Sequence, residues 1–156
     1  MSFKDFSKYF SEKSKGEDQV QKIVYMLKVE LSKGMKDFGD EEDLKDSVRD
    51  ICLSFDPTLL RDQIIQGYMG AHNVDFILLG GLLAMEVKLV RNEEDLQVAV
   101  PAIISHIPAF SSMYRNVLFL VYDSDEVIKN PEEFKRTIES KSENITILVI
   151  KRESAD

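Results

Sequence analysis

The sequence predicts an α/β fold, a central mixed sheet of four to five strands flanked by helices, with extra helices at its N-terminal end. Three observations predict it. Apolar residues recur at helical spacing over residues 17–33 and again over 40–54. The stretch from Asn73 to Val90 reads as two strands folded about Gly80-Gly81. The run Val117 to Tyr122 is continuously apolar, as a central strand covered on both faces would be.

The elements follow in order. Residues 3–14 suit a short amphipathic helix with Phe3, Phe6 and Phe10 on one side and Tyr9 nearby, and Lys13 to Gly16 suits a break. From Glu17 to Lys33, Val20, Ile23, Val24, Leu27 and Leu31 mark a second helix, which Gly34 ends. Asp40 is an N-cap, with Asp43 in the acidic first turn. The helix it opens runs to about Ser54, buries Leu44, Val48, Ile51 and Phe55, and stops at Asp56-Pro57. Residues 62–70 give the first strand, interrupted by glycine. Glu93 to about Ser111 reads as a helix that Pro101 either kinks or delays. Asn130-Pro131 starts a short helix with proline in its first position, and Ile145 to Ile150 is the last strand.

At 156 residues the chain is expected to form one compact unit, an N-terminal helical extension over residues 1–36 and a main domain over 37–152. No apolar run reaches the ~18 residues that span a bilayer, and no secretory leader is visible, so the expected location is the cytoplasm, away from membranes. The single cysteine, Cys52, excludes an internal disulfide and is expected to be buried as a small hydrophobe. His72 and His106 have no Cys or His partner at zinc spacing. His72 is next to the proposed hairpin, so it is either an ordinary loop histidine or a neighbour of the site.

The Asn73–Val90 stretch carries the chemistry. Folded about Gly80-Gly81, it sets Leu79 against Leu82, Ile77 against Ala84 and Asp75 against Glu86. Lys88 is two residues beyond Glu86 and shares its face. The other face, Val74, Phe76, Leu78, Leu83, Met85, Val87 and Leu89, is apolar throughout. Two directly opposed carboxylates repel unless a cation lies between them. A hard divalent ion such as Mg²⁺ suits such a pair, because it needs few carboxylate oxygens and leaves positions for phosphate oxygens. A lysine one strand step away can orient water or stabilise charge on phosphate. The competing reading is a half-exposed strand whose charges point to water. The apolar neighbours Ile77, Leu79, Leu82 and Val90 weigh against it.

Asp75, a short apolar run, then Glu86-Val-Lys88 on the next strand resembles the PD-(D/E)xK nuclease superfamily, the restriction-endonuclease-like fold. The order that follows is similar to the branch containing GATC-cutting Type II restriction enzymes and related bacterial defence nucleases. It comprises a helix, Asn116-Val-Leu-Phe-Leu-Val-Tyr-Asp123, then Val127-Ile-Lys-Asn-Pro131 and a last strand. The similarity covers roughly residues 40 to 151. Val74 stands where proline is common. The helix after Lys88 reads Pro101-Ala-Ile-Ile-Ser-His-Ile-Pro108, without the acid and aromatic that relatives often carry.

The resemblance implies a metal-dependent endonuclease in which Asp75 and Glu86 ligate Mg²⁺, with Mn²⁺ as a substitute. It also implies that the backbone carbonyl of Val87 completes the set and that Lys88 positions the attacking water. An additional acid is expected from the first core helix, with Glu42, Asp46 and Asp50 as candidates on one helical face. DNA is the implied substrate, defence against foreign DNA the implied role, and a homodimer or larger defence complex formed through the N-terminal helices the implied assembly. The alternative is a catalytically inactive nuclease-fold protein acting through a partner or oligomer, which the net charge of −8 favours. The charge is uneven. Residues 1–36 hold eight lysines against five acids, and residues 37–72 hold three basic residues against nine acids. A second Glu-x-Lys and an acidic cluster are expected to be structural. Glu133-Phe-Lys135 follows Asn-Pro in a helical pattern with no preceding strand acid, and Asp123, Asp125 and Glu126 suit a polar turn.

Overall fold

The computed structural model describes residues 3–67 and 70–152, with side chains described from Glu17 onward. The elements are α1 (Phe3–Ser32), α2 (Glu41–Leu53), β1 (Leu60–Gly67), β2 (Gly70–Leu78), β3 (Leu83–Val90), α3 (Glu93–Met113), β4 (Asn116–Asp123), α4 (Pro131–Glu139) and β5 (Ile145–Ile150). The strands form one mixed sheet in the order β1-β2-β3-β4-β5. β1, β2 and β3 run antiparallel, and β3, β4 and β5 run parallel.

Period-two alternation divides the sheet's side chains between two cores. Phe76, Leu78, Met85, Val87, Leu118, Leu120 and Tyr122 pack beneath α1 and α2, which supply Val20, Ile23, Leu27, Leu31, Leu44, Val48 and Cys52. Ala84, Val90, Phe119, Val121 and Ile147 pack against α3 and α4, which supply Ala99, Ile103, Ile107, Phe110 and Ile138. Val74, expected on the first face, belongs to the second core. β4 lies between two parallel neighbours and is buried from Val117 to Asp123.

Several elements differ from the sequence expectation. The predicted break at Lys13 to Gly16 is absent, because α1 runs unbroken through Gly16 to Ser32. The aromatic cluster expected at Phe3, Phe6, Tyr9 and Phe10 lies outside the described side chains. Gly70 opens β2 instead of closing β1, and Gly67 pairs with it. α3 starts at Glu93 with Asn92 as N-cap and runs through Pro101, so the proline does not delay it. By length and composition α3 is also long and apolar enough to cross a membrane, against expectation. In this fold one side of it lies in the second core.

The connection between β2 and β3 also departs from a two-residue turn. β2 ends at Leu78 and β3 starts at Leu83, so Leu79 and Leu82 lie in the loop and do not pair as strand residues. Gly80 and Gly81 take φ of 65° and 96°, which glycine permits without a Cβ clash. Leu79 is also left-handed, at φ 57°. The buried Asp56 holds it there, since Asp56 Oδ2 accepts the Leu79 N–H at 2.7 Å.

Candidate active site

The site forms where two strands part. The β2–β3 ladder pairs Leu78 with Leu83, Ile77 with Ala84 and Phe76 with Met85, which is the register expected from the sequence. It ends there, one step before Asp75 and Glu86. β2 continues against β1 alone, and β3 continues against β4, pairing Glu86 with Phe119. Asp75 and Glu86 thus stand at the fork, not as a paired couple within the ladder. Just beyond the ladder's end the acid takes over for a strand partner, because Val87 N–H donates to Asp75 Oδ2 at 2.8 Å.

Both acids are buried, at 5% and 3% exposure. Asp75 Oδ1 is 3.0 Å from the ammonium of Lys45 on α2. Glu86 Oε1 is 2.7 Å from His106 Nδ1 on α3 and 3.7 Å from Lys88 Nζ. An ionised carboxylate only accepts, so His106 Nδ1 donates. Glu86 Oε2 is buried and finds no hydrogen-bond partner among the described residues. The His72 ring meets His106 edge to face at 5.3 Å, and His106 packs on Phe110 at 5.0 Å.

The first-helix acids are placed differently from expectation. Glu42 and Asp46 bind the Arg61 guanidinium at 2.9 and 2.6 Å, and Asp50 is 3.3 Å from Arg49. All three are exposed, and none is paired with a group at Asp75 or Glu86 except through Lys45, which Glu42 also meets at 3.3 Å. The acid of this helix that borders the site is Glu41, one residue from the expected stripe and four before Lys45. Burial raises its carboxyl above the usual range. Lys88 and Lys45 oppose that, and Asp75 and Glu86 add to it. Sequence reading therefore missed Glu41, Lys45 and His106. Glu41 and Lys45 carried a signal in their shared i,i+4 face. For His106 only the register of α3 on the sheet, invisible in the sequence, brings it to Glu86.

Asp75 is held above the ordinary carboxylate range. Burial dominates, the Val87 N–H and Lys45 pull the other way, and the Glu86 charge adds to the rise. For Lys45, burial alone would lower the ammonium, but the Asp75 charge and hydrogen bond, with Glu42 behind them, reverse that and raise it. A carboxyl raised in the folded chain binds its proton more tightly there than when unfolded, so ionising it costs stability. The cost is absent below the unfolded value of ~3.9 and develops as pH rises from there through the raised folded value. Asp75→Asn cannot ionise. Its urea midpoint is expected to gain on that of wild type between acid pH and pH 7. A difference that stays constant with pH would show that Asp75 ionises without penalty.

Among the described residues no three His, Cys, Asp or Glu side chains gather as a metal's ligands. The arrangement nevertheless fits a hard divalent ion, which takes one or two carboxylates plus substrate oxygens. The unpartnered Glu86 Oε2 beside Asp75 is the observation that fits. The second Glu-x-Lys, Glu133 and Lys135, has structural work instead: Lys135 Nζ binds Glu139 at 2.6 Å and the Ile147 carbonyl, and Glu133 N–H is capped by Asn130.

A mixed sheet that forks at two buried carboxylates, with Glu-x-Lys on the next strand, defines a restriction-endonuclease-like protein. The family model described as REase_DpnII-MboI matches residues 17–154. The chain belongs to the DpnII-MboI restriction endonuclease family, the GATC-cutting Type II enzymes, and this membership implies a DNA-cleaving restriction enzyme. No curated protein and no solved structure matches it.

Proposed function

We propose that the chain hydrolyses DNA phosphodiester bonds with the help of Mg²⁺, or Mn²⁺ in its place, as part of defence against foreign DNA. The observation that carries this reading is the buried oxygen of Glu86 that has no hydrogen-bond partner among the described residues, at a fork it shares with the buried Asp75. Asp75, Glu86 and the backbone carbonyl of Val87 would hold the ion, with Glu41 as the additional acid. When bound, the ion would polarise the phosphate and help deprotonate the attacking water.

The chain's own residues do the rest. Lys88, with 18% of its side chain exposed, brings its ammonium to 3.7 Å from the Glu86 carboxylate, where it orients water and balances charge on phosphate. His106 acts through Glu86. By binding Oε1 it fixes the carboxylate's rotation and leaves Oε2 as the free atom. The apolar loop and the two cores around the fork exclude water from the acids.

The test is cleavage of plasmid DNA, with and without GATC sites, in Mg²⁺ and in Mn²⁺, beside Lys88→Ala. Metal-dependent cutting that the variant loses supports the reading. Cutting by Lys88→Ala at the wild-type rate refutes the role of Lys88. His106→Ala is expected to cost ~10- to 100-fold in cleavage. His106→Asn, whose amide can donate from the same position, is expected to recover part of it. Equal losses in both would mean that the ring only fills space.

A further inference from the structure

Lys45 is the group at the fork that the nuclease reading leaves unused. Lysine is almost never buried without a partner, and the Lys45 side chain retains only 11% exposure. Its partner is Asp75 Oδ1, at 3.0 Å, while Val87 N–H occupies Oδ2. Both oxygens of Asp75 are therefore taken, whereas Glu86 keeps one oxygen with no partner. The two acids are unequal. A divalent ion can approach Glu86 Oε2 freely, but it meets Asp75 only against the ammonium, because two cations on one carboxylate oxygen repel. Glu42 stands 3.3 Å from the same ammonium, on the exposed side. It offers Lys45 a second carboxylate to retreat to.

We infer that Lys45 is the resident counter-cation of this site: it occupies Asp75 while no divalent ion is bound, competes with the ion for that carboxylate, and holds the intrinsic metal affinity down. The inference rests on the proposal that Asp75 and Glu86 form a metal site. Its consequence is that the site loads weakly on the free protein and fills when substrate phosphate brings further oxygen donors and an anion for Lys45.

The experiment is calorimetric titration of Mn²⁺ into the full chain without DNA at pH 8, for wild type, Lys45→Met, Lys45→Gln and Glu86→Ala. Lys45→Met keeps the length of the stem and removes the charge. Lys45→Gln removes the charge but keeps a donor, and serves if the first variant does not fold. The expected result is Mn²⁺ binding about tenfold tighter in either lysine variant and none in Glu86→Ala. The same variants should show a larger rise in melting temperature on adding Mn²⁺ than wild type does. Unchanged or weaker binding in folded lysine variants, with binding still lost in Glu86→Ala, overturns the role of Lys45 and leaves the metal site standing. Wild-type binding by Glu86→Ala overturns the metal site itself, and the inference with it.

Discussion

Glu86→Gln is expected to lose about 10²- to 10³-fold in DNA cleavage while melting at a higher temperature than wild type. The two effects share a cause. Wild-type Glu86 is 3% exposed, with one oxygen on His106 and the other without a hydrogen-bond partner among the described residues. A buried acceptor without a donor costs about 1–3 kcal/mol, more when charged. The Asp75 carboxylate adds repulsion across the fork. Glutamine keeps the shape and the acceptor for His106. It replaces the stranded oxygen with an amide N–H beside an acid. Relief of even ~1 kcal/mol raises the melting temperature by about 2–4 °C in a chain of this size. The check is a melting curve in EDTA beside a cleavage assay in Mg²⁺. A variant that is both inactive and less stable would show that Glu86 serves the fold, and its loss of cleavage would say nothing about chemistry.

The parts of this molecule legible in the sequence are those fixed by local pattern. The caps at Asp40 and Asn130, the buried Val117 to Tyr122 strand and the register of Ile77 on Ala84 follow from residue type and spacing alone. The register holds even though the turn is not the two-residue one that the spacing predicts. A four-residue loop with three left-handed residues gives the same pairing sum as a two-residue turn. The site was legible in part for the same reason. Asp75, Glu86 and Lys88 come from adjacent strands and fall together once register is known. Glu41 and His106 come from helices, whose rotation about their axes depends on packing. The acidic stripe of Glu42, Asp46 and Asp50 satisfies helical periodicity, yet its first two acids turn toward Arg61 on β1 and the third pairs with Arg49. One residue along the helix is a rotation of about 100°, enough to move an acid from the solvent side to the fork. Sequence spacing defines such a stripe but not the direction it faces.

A second buried acid makes the opposite prediction from Glu86. Asp123 closes β4 at 1% exposure, and both of its oxygens are in use. Oδ1 accepts the Val127 N–H at 2.8 Å, and Oδ2 accepts the Ile128 N–H at 2.9 Å. These bonds fold the segment between β4 and α4 and seat Ile128 in the second core. Asp123→Ala strands two backbone donors, one of them in a fully buried bond, so a loss of about 2–4 kcal/mol is expected. It should appear as a lower urea midpoint at unchanged slope. Asp123→Asn keeps one acceptor and sets its amide against the second donor, so it should fall between alanine and wild type. Cleavage per folded molecule should be retained in the asparagine variant. If that variant folds and does not cut, Asp123 belongs to the chemistry and not to the turn. Burial alone therefore does not mark a functional carboxylate here. Asp123 and Glu86 are equally hidden, and they differ in whether each oxygen has a donor. Of these two, Asp123 has both oxygens satisfied and holds the chain together, whereas Glu86 has one oxygen left over for the ion proposed above.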